Sequence, residues 1–252
     1  MFLVGFMRSG TTLTQEVLDV HPDVFLADET DFIASVILEL HKRVPGNAST
    51  AERLGMIDEA GIRHLRTFYW NLVRARYGKA MEGKRLVDKT TMNTIDLGMI
   101  NCVFPDAKVI FVMRDPRDVC LSCFMQTMLP TPSTVHLLTW RGTAEFYAQV
   151  MNWWLYVKQE MVTPHVEFRY EDVVADFEGT FRKVFDFLGL DWSDEAANFH
   201  RHTAGKYIHS PSFSQVSQPL YSSSVARWKR YEADFAPIAD VLAPFIEKFG
   251  YR

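Results

Sequence analysis

The chain has 252 residues, 48% of them hydrophobic and 23% charged, with a formal net charge of −4. That is enough chain for one full α/β core, at a composition close to the globular average. The mild negative charge excludes a global attraction to nucleic acid or to an anionic membrane, and no apolar run approaches the length of a bilayer span.

The chain opens with a strand-like run over residues 2–5. A loop reading GFMRSGTT follows, from Gly5 to Thr12, and then a helix over 12–20 with Leu13, Val17 and Leu18 at helical spacing. Strand, glycine-containing turn and helix aim backbone N–H groups and the positive end of a helix dipole at a phosphate. A Walker A loop reads GxxxxGK[ST]. Here Thr11 stands at the lysine position, and the loop's cation is Arg8, ahead of Gly10. That difference points to a transferred group other than a terminal phosphoryl. Ser9, Gly10, Thr11 and Thr12 are the expected donors to a 5′-phosphate, with Arg8 as the fixed charge. A surface arginine beside a turn is the bland alternative.

A weak strand over 24–27 precedes Asp28, Glu29 and Asp31, and a helix is expected over 31–42. By spacing alone, Glu29 reads as a carboxylate near a helix start, favoured there by the dipole. After a loop over 44–50, a long helical stretch is expected over 50–77. A third strand, 85–88, ends at Lys89, which on spacing alone is an ordinary solvated lysine. A helix over 93–103 leads to a buried-type strand over 108–113 and then to Arg114, Asp115, Pro116 and Arg117. Pro116 suits the first position of a helix over 116–125, and that helix carries Ser122. Arg114 falls at a strand's carboxyl end, where open α/β sheets bind ligands. Arg114 and Ser122 can hold a second phosphate, so a nucleotide phosphorylated at both 5′ and 3′ positions would use both motifs. An ion pair from Arg114 to Asp115 or Asp118 is the competing reading.

Beyond this lie helices over 143–162 and 177–188, a strand over 165–168, and a segment of little periodicity over 200–224. Long irregular segments in compact domains are often functional. A C-terminal helix carries Ile238, Leu242, Phe245 and Ile246 on one face. Strands alternating with helices predict an α/β fold, a parallel sheet with helices on both faces. The expectation is one domain over 1–252, whether complete or part of a longer chain. Cys102, Cys120 and Cys123 are too few for a disulfide framework and point to a reducing, cytoplasmic setting. Cys120 and Cys123 read as small apolar residues on one helical face, and His200 and His202 as surface residues in a loop.

Taken together, the two phosphate motifs resemble those of the sulfotransferases that use 3′-phosphoadenosine 5′-phosphosulfate (PAPS). Arginine in the loop is closer to the protein-tyrosine sulfotransferases, and to bacterial sulfotransferase domains that follow tetratricopeptide repeats, than to the cytosolic enzymes with lysine there. The resemblance extends to DET at 28–30, VDKTTMN at 87–93, RYEDVVAD at 169–176 and SQVSQPLYSSSVARWKRY at 214–231. It implies a P-loop-like sulfotransferase fold and PAPS as co-substrate without a metal. The implied acceptor is a hydroxyl on a protein tyrosine, a carbohydrate or a small molecule. It also implies Glu29 as catalytic base, with Lys89 at the bridging oxygen of the phosphosulfate and Arg8 and Ser212 near the sulfonate. Tyr170 and Arg227 would contact the nucleotide; Arg227 stands where the tyrosine enzymes have lysine, a change of hydrogen-bonding geometry. Neither nucleic acid nor membrane is expected as a partner, and monomer or homodimer stays open. Two other readings compete. A P-loop nucleotide or nucleoside kinase is disfavoured by the missing Walker lysine. A non-catalytic nucleotide-binding module is disfavoured by the complete set Arg8, Glu29, Lys89, Arg114 and Ser122.

Overall fold

The computed structural model describes residues 1–203, 220 and 223–251. Five strands form one sheet: β1 (Phe2–Gly5), β2 (Val24–Asp28), β3 (Arg85–Lys89), β4 (Val109–Met113) and β5 (His165–Arg169). Their order is β2-β3-β1-β4-β5, and every pairing is parallel. Each lies within one residue of the expected run. The reason is burial on both faces, which makes a central parallel strand an uninterrupted apolar segment. Along β4, Val109, Phe111 and Met113 enter one core layer while Ile110 and Val112 enter the other.

The first layer packs α2 (Phe32–Arg43), α4 (Glu59–Tyr77), α5 (Leu97–Val103), α6 (Pro116–Phe124), α7 (Trp140–Glu160) and α11 (Ala239–Lys248) against the sheet. The second packs α1 (Thr11–Asp19) and α9 (Phe177–Leu188), with Tyr170 and Val173 of α8 (Tyr170–Ala175) and Phe199 of α10 (Phe199–Thr203).

Several elements depart from the sequence reading. The long stretch over 50–77 is two helices, α3 (Thr50–Met56) and α4, broken at extended Ile57. Each has its own cap: Ser49 forms a capping box with Glu52, and the Asp58 side chain accepts from Gly61 N at 2.8 Å. α7 begins at Trp140, where Thr139 accepts from Gly142 N. Helix α8 starts directly after β5, so Tyr170 opens a helix, and α10 occupies the start of the segment read as loop.

Chain direction fixes where a ligand can bind. β1 leads to β2 on one side of the sheet, and β4 leads to β5 on the other. The loops leaving the carboxyl ends of neighbouring β1 and β4 therefore diverge, and a crevice opens between them. GFMRSGTT and RDPR are those two loops.

Candidate active site

The loop after β1 is built on close approach. A Cβ at Gly5 would lie 2.6 Å from the Val112 carbonyl oxygen and 2.8 Å from Ser9 Oγ. Only glycine lets the strand end pass its neighbour there. Thr94 brackets the same residue, accepting from Gly5 N at 3.0 Å and donating to Gly5 O at 2.7 Å. Gly10 has φ 110°, and a Cβ there would meet Tyr170 Cδ2 at 2.9 Å. Gly10 is also the N-cap of α1 and has no side chain with which to cap its first-turn amides. Ser9 Oγ is buried and has no hydrogen-bond partner among the described residues.

Three non-glycine residues among those described have positive φ: Arg8 at 68°, Glu29 at 44° and Ala226 at 54°. Such backbone costs about 1–3 kcal/mol each and persists where surrounding structure over-determines it, commonly at functional sites. Arg8 and Glu29 are both candidate catalytic residues.

Glu29 follows β2 and Lys89 ends β3, in neighbouring register, and Glu29 N donates to Lys89 O at 2.7 Å. Lys89 Nζ donates to Glu29 Oε1 at 2.5 Å and to Asp28 Oδ1 at 3.2 Å. The lysine side chain is only 2% exposed and held by two carboxylates, so the solvated-lysine reading fails. The Glu29 side chain is 45% exposed, open to an incoming group. Thr91 Oγ1 lies 3.5 Å from Glu29 Oε1 and 3.0 Å from Thr11 Oγ1, which connects the carboxylate to the first turn of α1. Behind this pair, Asp88 is fully buried. It accepts from Tyr69 OH at 2.9 Å and from Thr30 Oγ1 at 3.2 Å, and burial pushes its carboxyl up to about 6.

Arg114, at the end of β4, is buried. Its Nη1 donates to Arg8 O at 3.1 Å and its Nη2 to Ser224 O at 2.6 Å. Its Nε is buried without a partner among the described residues, and its guanidinium lies 4.9 Å from the Tyr170 ring centroid. Among the described residues neither Asp115 nor Asp118 forms an ion pair with it. Asp115 pairs with Arg117 at 2.7 Å, and Asp118 accepts from Trp228 N at 2.8 Å. Arg8 Nε donates to Ser122 Oγ at 2.9 Å, and Tyr170 OH sits 2.7 Å from Ser224 Oγ.

Arg8, Ser9, Gly10, Thr11, Glu29, Lys89, Arg114, Ser122 and Tyr170 thus form two contact groups at the carboxyl edge of the sheet. Thr12 is buried in the first turn of α1. Arg227 is not in these groups: its Nη2 faces Met125 Sδ at 3.4 Å. Ser212 lies outside the described residues. His202 is on α10, 3.7 Å from Asp19, and His200 is half-buried there, so the loop reading of both is corrected. Cys120 and Cys123 are buried in α6, and burial pushes the Cys123 thiol up to about 12. Among the described residues no group of three or more His, Cys, Asp or Glu could hold a metal ion, and no helix is long and apolar enough to cross a membrane. Sequence reasoning missed Asp88, Thr91 and Thr94 as site residues. The signal was present in VDKTTMN, where only the lysine was used.

The chain is 27% identical to an uncharacterised protein of Aquifex aeolicus over 98% of its own length, and spans 33% of that protein. It is 25% identical over its full length to protein-tyrosine sulfotransferase A of Caenorhabditis elegans, of which it spans 67%. Among solved structures, the sulfotransferase domain of the Synechococcus PCC 7002 olefin synthase has a TM-score of 0.68 at 19% identity, covering 100% of this chain and 94% of that one. A mouse sulfotransferase complexed with PAP has a TM-score of 0.50 at 16% identity, covering 98% and 83%. Both likenesses are of fold. Residues 1–194, more than half of the chain, match the model of the sulfotransferase family, with both phosphate motifs and the Glu29–Lys89 pair inside the match, and the chain belongs to that family.

Proposed function

We propose that the chain transfers a sulfuryl group from PAPS to an acceptor hydroxyl, with Glu29 as general base. The observation that carries this reading is Glu29 and Lys89 in contact at 2.5 Å, linked through Thr91 to the first turn of a phosphate loop without the Walker lysine. Two buried donors without partners among the described residues, Ser9 Oγ and Arg114 Nε, fit an anion phosphorylated at both ends, because buried polar groups demand partners. The mouse structure of similar fold, which holds PAP, supports the same nucleotide.

The chemistry follows from the donors. The acceptor O–H gives its proton to a Glu29 carboxylate oxygen as its own oxygen bonds to sulfur. On the far side, the bond from sulfur to the bridging oxygen breaks, and that oxygen leaves as the 5′-phosphate of adenosine 3′,5′-bisphosphate. An ammonium has three donors. Lys89 gives one each to Asp28 and Glu29, leaving one for the bridging oxygen. Arg8 and the first-turn amides of α1 stabilise charge on the sulfonate and 5′-phosphate, while Arg114 and Ser122 serve the 3′-phosphate. A sulfuryl group carries less charge than a terminal phosphoryl, so fixed cations and N–H groups suffice.

The protein-tyrosine relative makes a tyrosyl hydroxyl the first acceptor to test, ahead of carbohydrates and small phenols. The purified chain is incubated with sulfur-labelled PAPS and one acceptor of each class. The reading expects label in at least one acceptor and stoichiometric adenosine 3′,5′-bisphosphate. Absence of transfer to all three, with phosphoryl transfer from ATP instead, would contradict it.

A further inference from the structure

We propose that Asp88 is a positioning residue that locks the turns after β2 and β3 into one unit and so holds Glu29 against Lys89. This rests on the reading of Glu29 as the base. Asp88 touches neither Glu29 nor Lys89 through its side chain. It acts through the residue that follows each of them.

Asp88 Oδ1 accepts from Thr30 Oγ1 at 3.2 Å, and Thr90 Oγ1 lies 3.4 Å from the same oxygen. Thr30 follows Glu29, and Thr90 follows Lys89. The two threonines also close on each other: Thr30 N donates to Thr90 Oγ1 at 3.0 Å, and Thr90 Oγ1 donates to Thr30 O at 3.0 Å. Asp88 Oδ2 accepts from Tyr69 OH at 2.9 Å, and Tyr69 is a core residue of α4, 2% exposed. One carboxylate therefore anchors both turns to the core helix.

This arrangement supplies what the Glu29 backbone needs. A glutamate at φ 44° is strained, and it stays there only if its neighbours leave it no relaxed alternative. The Thr30 N–H and C=O, both bonded to Thr90, fix the two peptides that follow it. Burying a carboxylate is costly, and desolvation raises the Asp88 carboxyl accordingly. A position serving only the core would be filled more stably by an apolar side chain. Here the carboxylate gains three hydroxyl neighbours, two of them beside the candidate catalytic pair.

The test is a double-variant cycle on the full chain. Asp88→Asn keeps size but lacks the second acceptor oxygen. Thr90→Val keeps shape but removes the hydroxyl, and it carries the test if the asparagine variant does not fold. Each is measured alone and with Glu29→Gln for kcat, melting temperature and adenosine 3′,5′-bisphosphate affinity. Alone, each should lower kcat by up to about 10²-fold, the scale of a small misplacement, with nucleotide affinity held within about twofold. Added to Glu29→Gln, each should lower kcat little further, because residues acting as a unit are non-additive. Losses that multiply in the double variants, or a lowered melting temperature with unchanged kcat, would overturn the positioning role while leaving Glu29 as base. Wild-type kcat in Glu29→Gln alone would instead overturn the base reading, and this proposal with it.

Discussion

Arg8 Nε donates to Ser122 Oγ at 2.9 Å, so the cation of the first phosphate motif touches the hydroxyl of the second. The contact exists because β1 and β4 are neighbours in the sheet, although the residues are 114 apart in sequence. Ser122→Ala should therefore do more than weaken one phosphate contact. Hydrogen bonds to charged groups contribute about 1.5–3 kcal/mol. Adenosine 3′,5′-bisphosphate affinity should fall by roughly 10- to 150-fold, and kcat should fall with it, because Arg8 loses its orientation. Titration calorimetry and steady-state kinetics on one preparation check both halves.

Arg114→Ala separates the two phosphates. Truncating a buried, hydrogen-bonded charge typically costs about 2–5 kcal/mol. Adenosine 3′,5′-bisphosphate should bind roughly 30-fold or more weakly, while AMP, which lacks the 3′-phosphate, changes little. Equal losses for both nucleotides in calorimetry would mean that the arginine acts through the Arg8 carbonyl it supports at 3.1 Å, not through the 3′-phosphate.

Chelation separates sulfuryl from phosphoryl transfer. With Arg8, Lys89 and the α1 amides carrying the charge, transfer from PAPS should survive excess EDTA. Complete loss on chelation, restored by magnesium, would favour the kinase reading.

Asp88 makes stability depend on pH. Burial raises its carboxyl to about 6 in the folded chain, against 3.8 for an ordinary aspartate, while hydrogen bonds from Tyr69 and Thr30 oppose the rise. The folded state therefore binds more protons than the unfolded state between about pH 4 and pH 6. Stability from this group is fully present below that window and is lost as pH rises through it. At about 1.36 kcal/mol per pKa unit, the loss is about 3 kcal/mol at most. Asp96 is raised to about 6 by burial as well, so denaturant unfolding from pH 4 to 7 should show a decline steeper in wild type than in Asp88→Asn by about this amount. Parallel profiles for the two proteins would contradict the assignment.

The strands were legible because burial on both faces writes an apolar run into the sequence, as in Val109–Met113. The phosphate loop was legible for a different reason: Gly5 and Gly10 stand where no Cβ fits. The break between α3 and α4 went unseen. Residues on both sides keep helical spacing, and its only marks are local caps at Ser49 and Asp58. The Asp88 cluster was hidden more deeply, since its partners Thr30 and Tyr69 are 58 and 19 residues away and meet only through packing of β2, β3 and α4. Arg227 was aligned with a nucleotide contact by motif, yet its side chain faces Met125.

The central claim is that Glu29 takes the acceptor proton, and Glu29→Gln tests it most directly. The substitution keeps shape and removes the proton acceptor, and losing a general base commonly costs about 10²–10⁴ in rate. The account predicts a fall of that size in kcat, with bisphosphate affinity nearly unchanged and some loss of melting temperature, because the buried Lys89 loses one of its two carboxylate partners. A carboxylate serving only a helix start would leave turnover intact, whatever the change in stability. Near wild-type kcat in the glutamine variant, measured beside its thermal unfolding, would contradict the account.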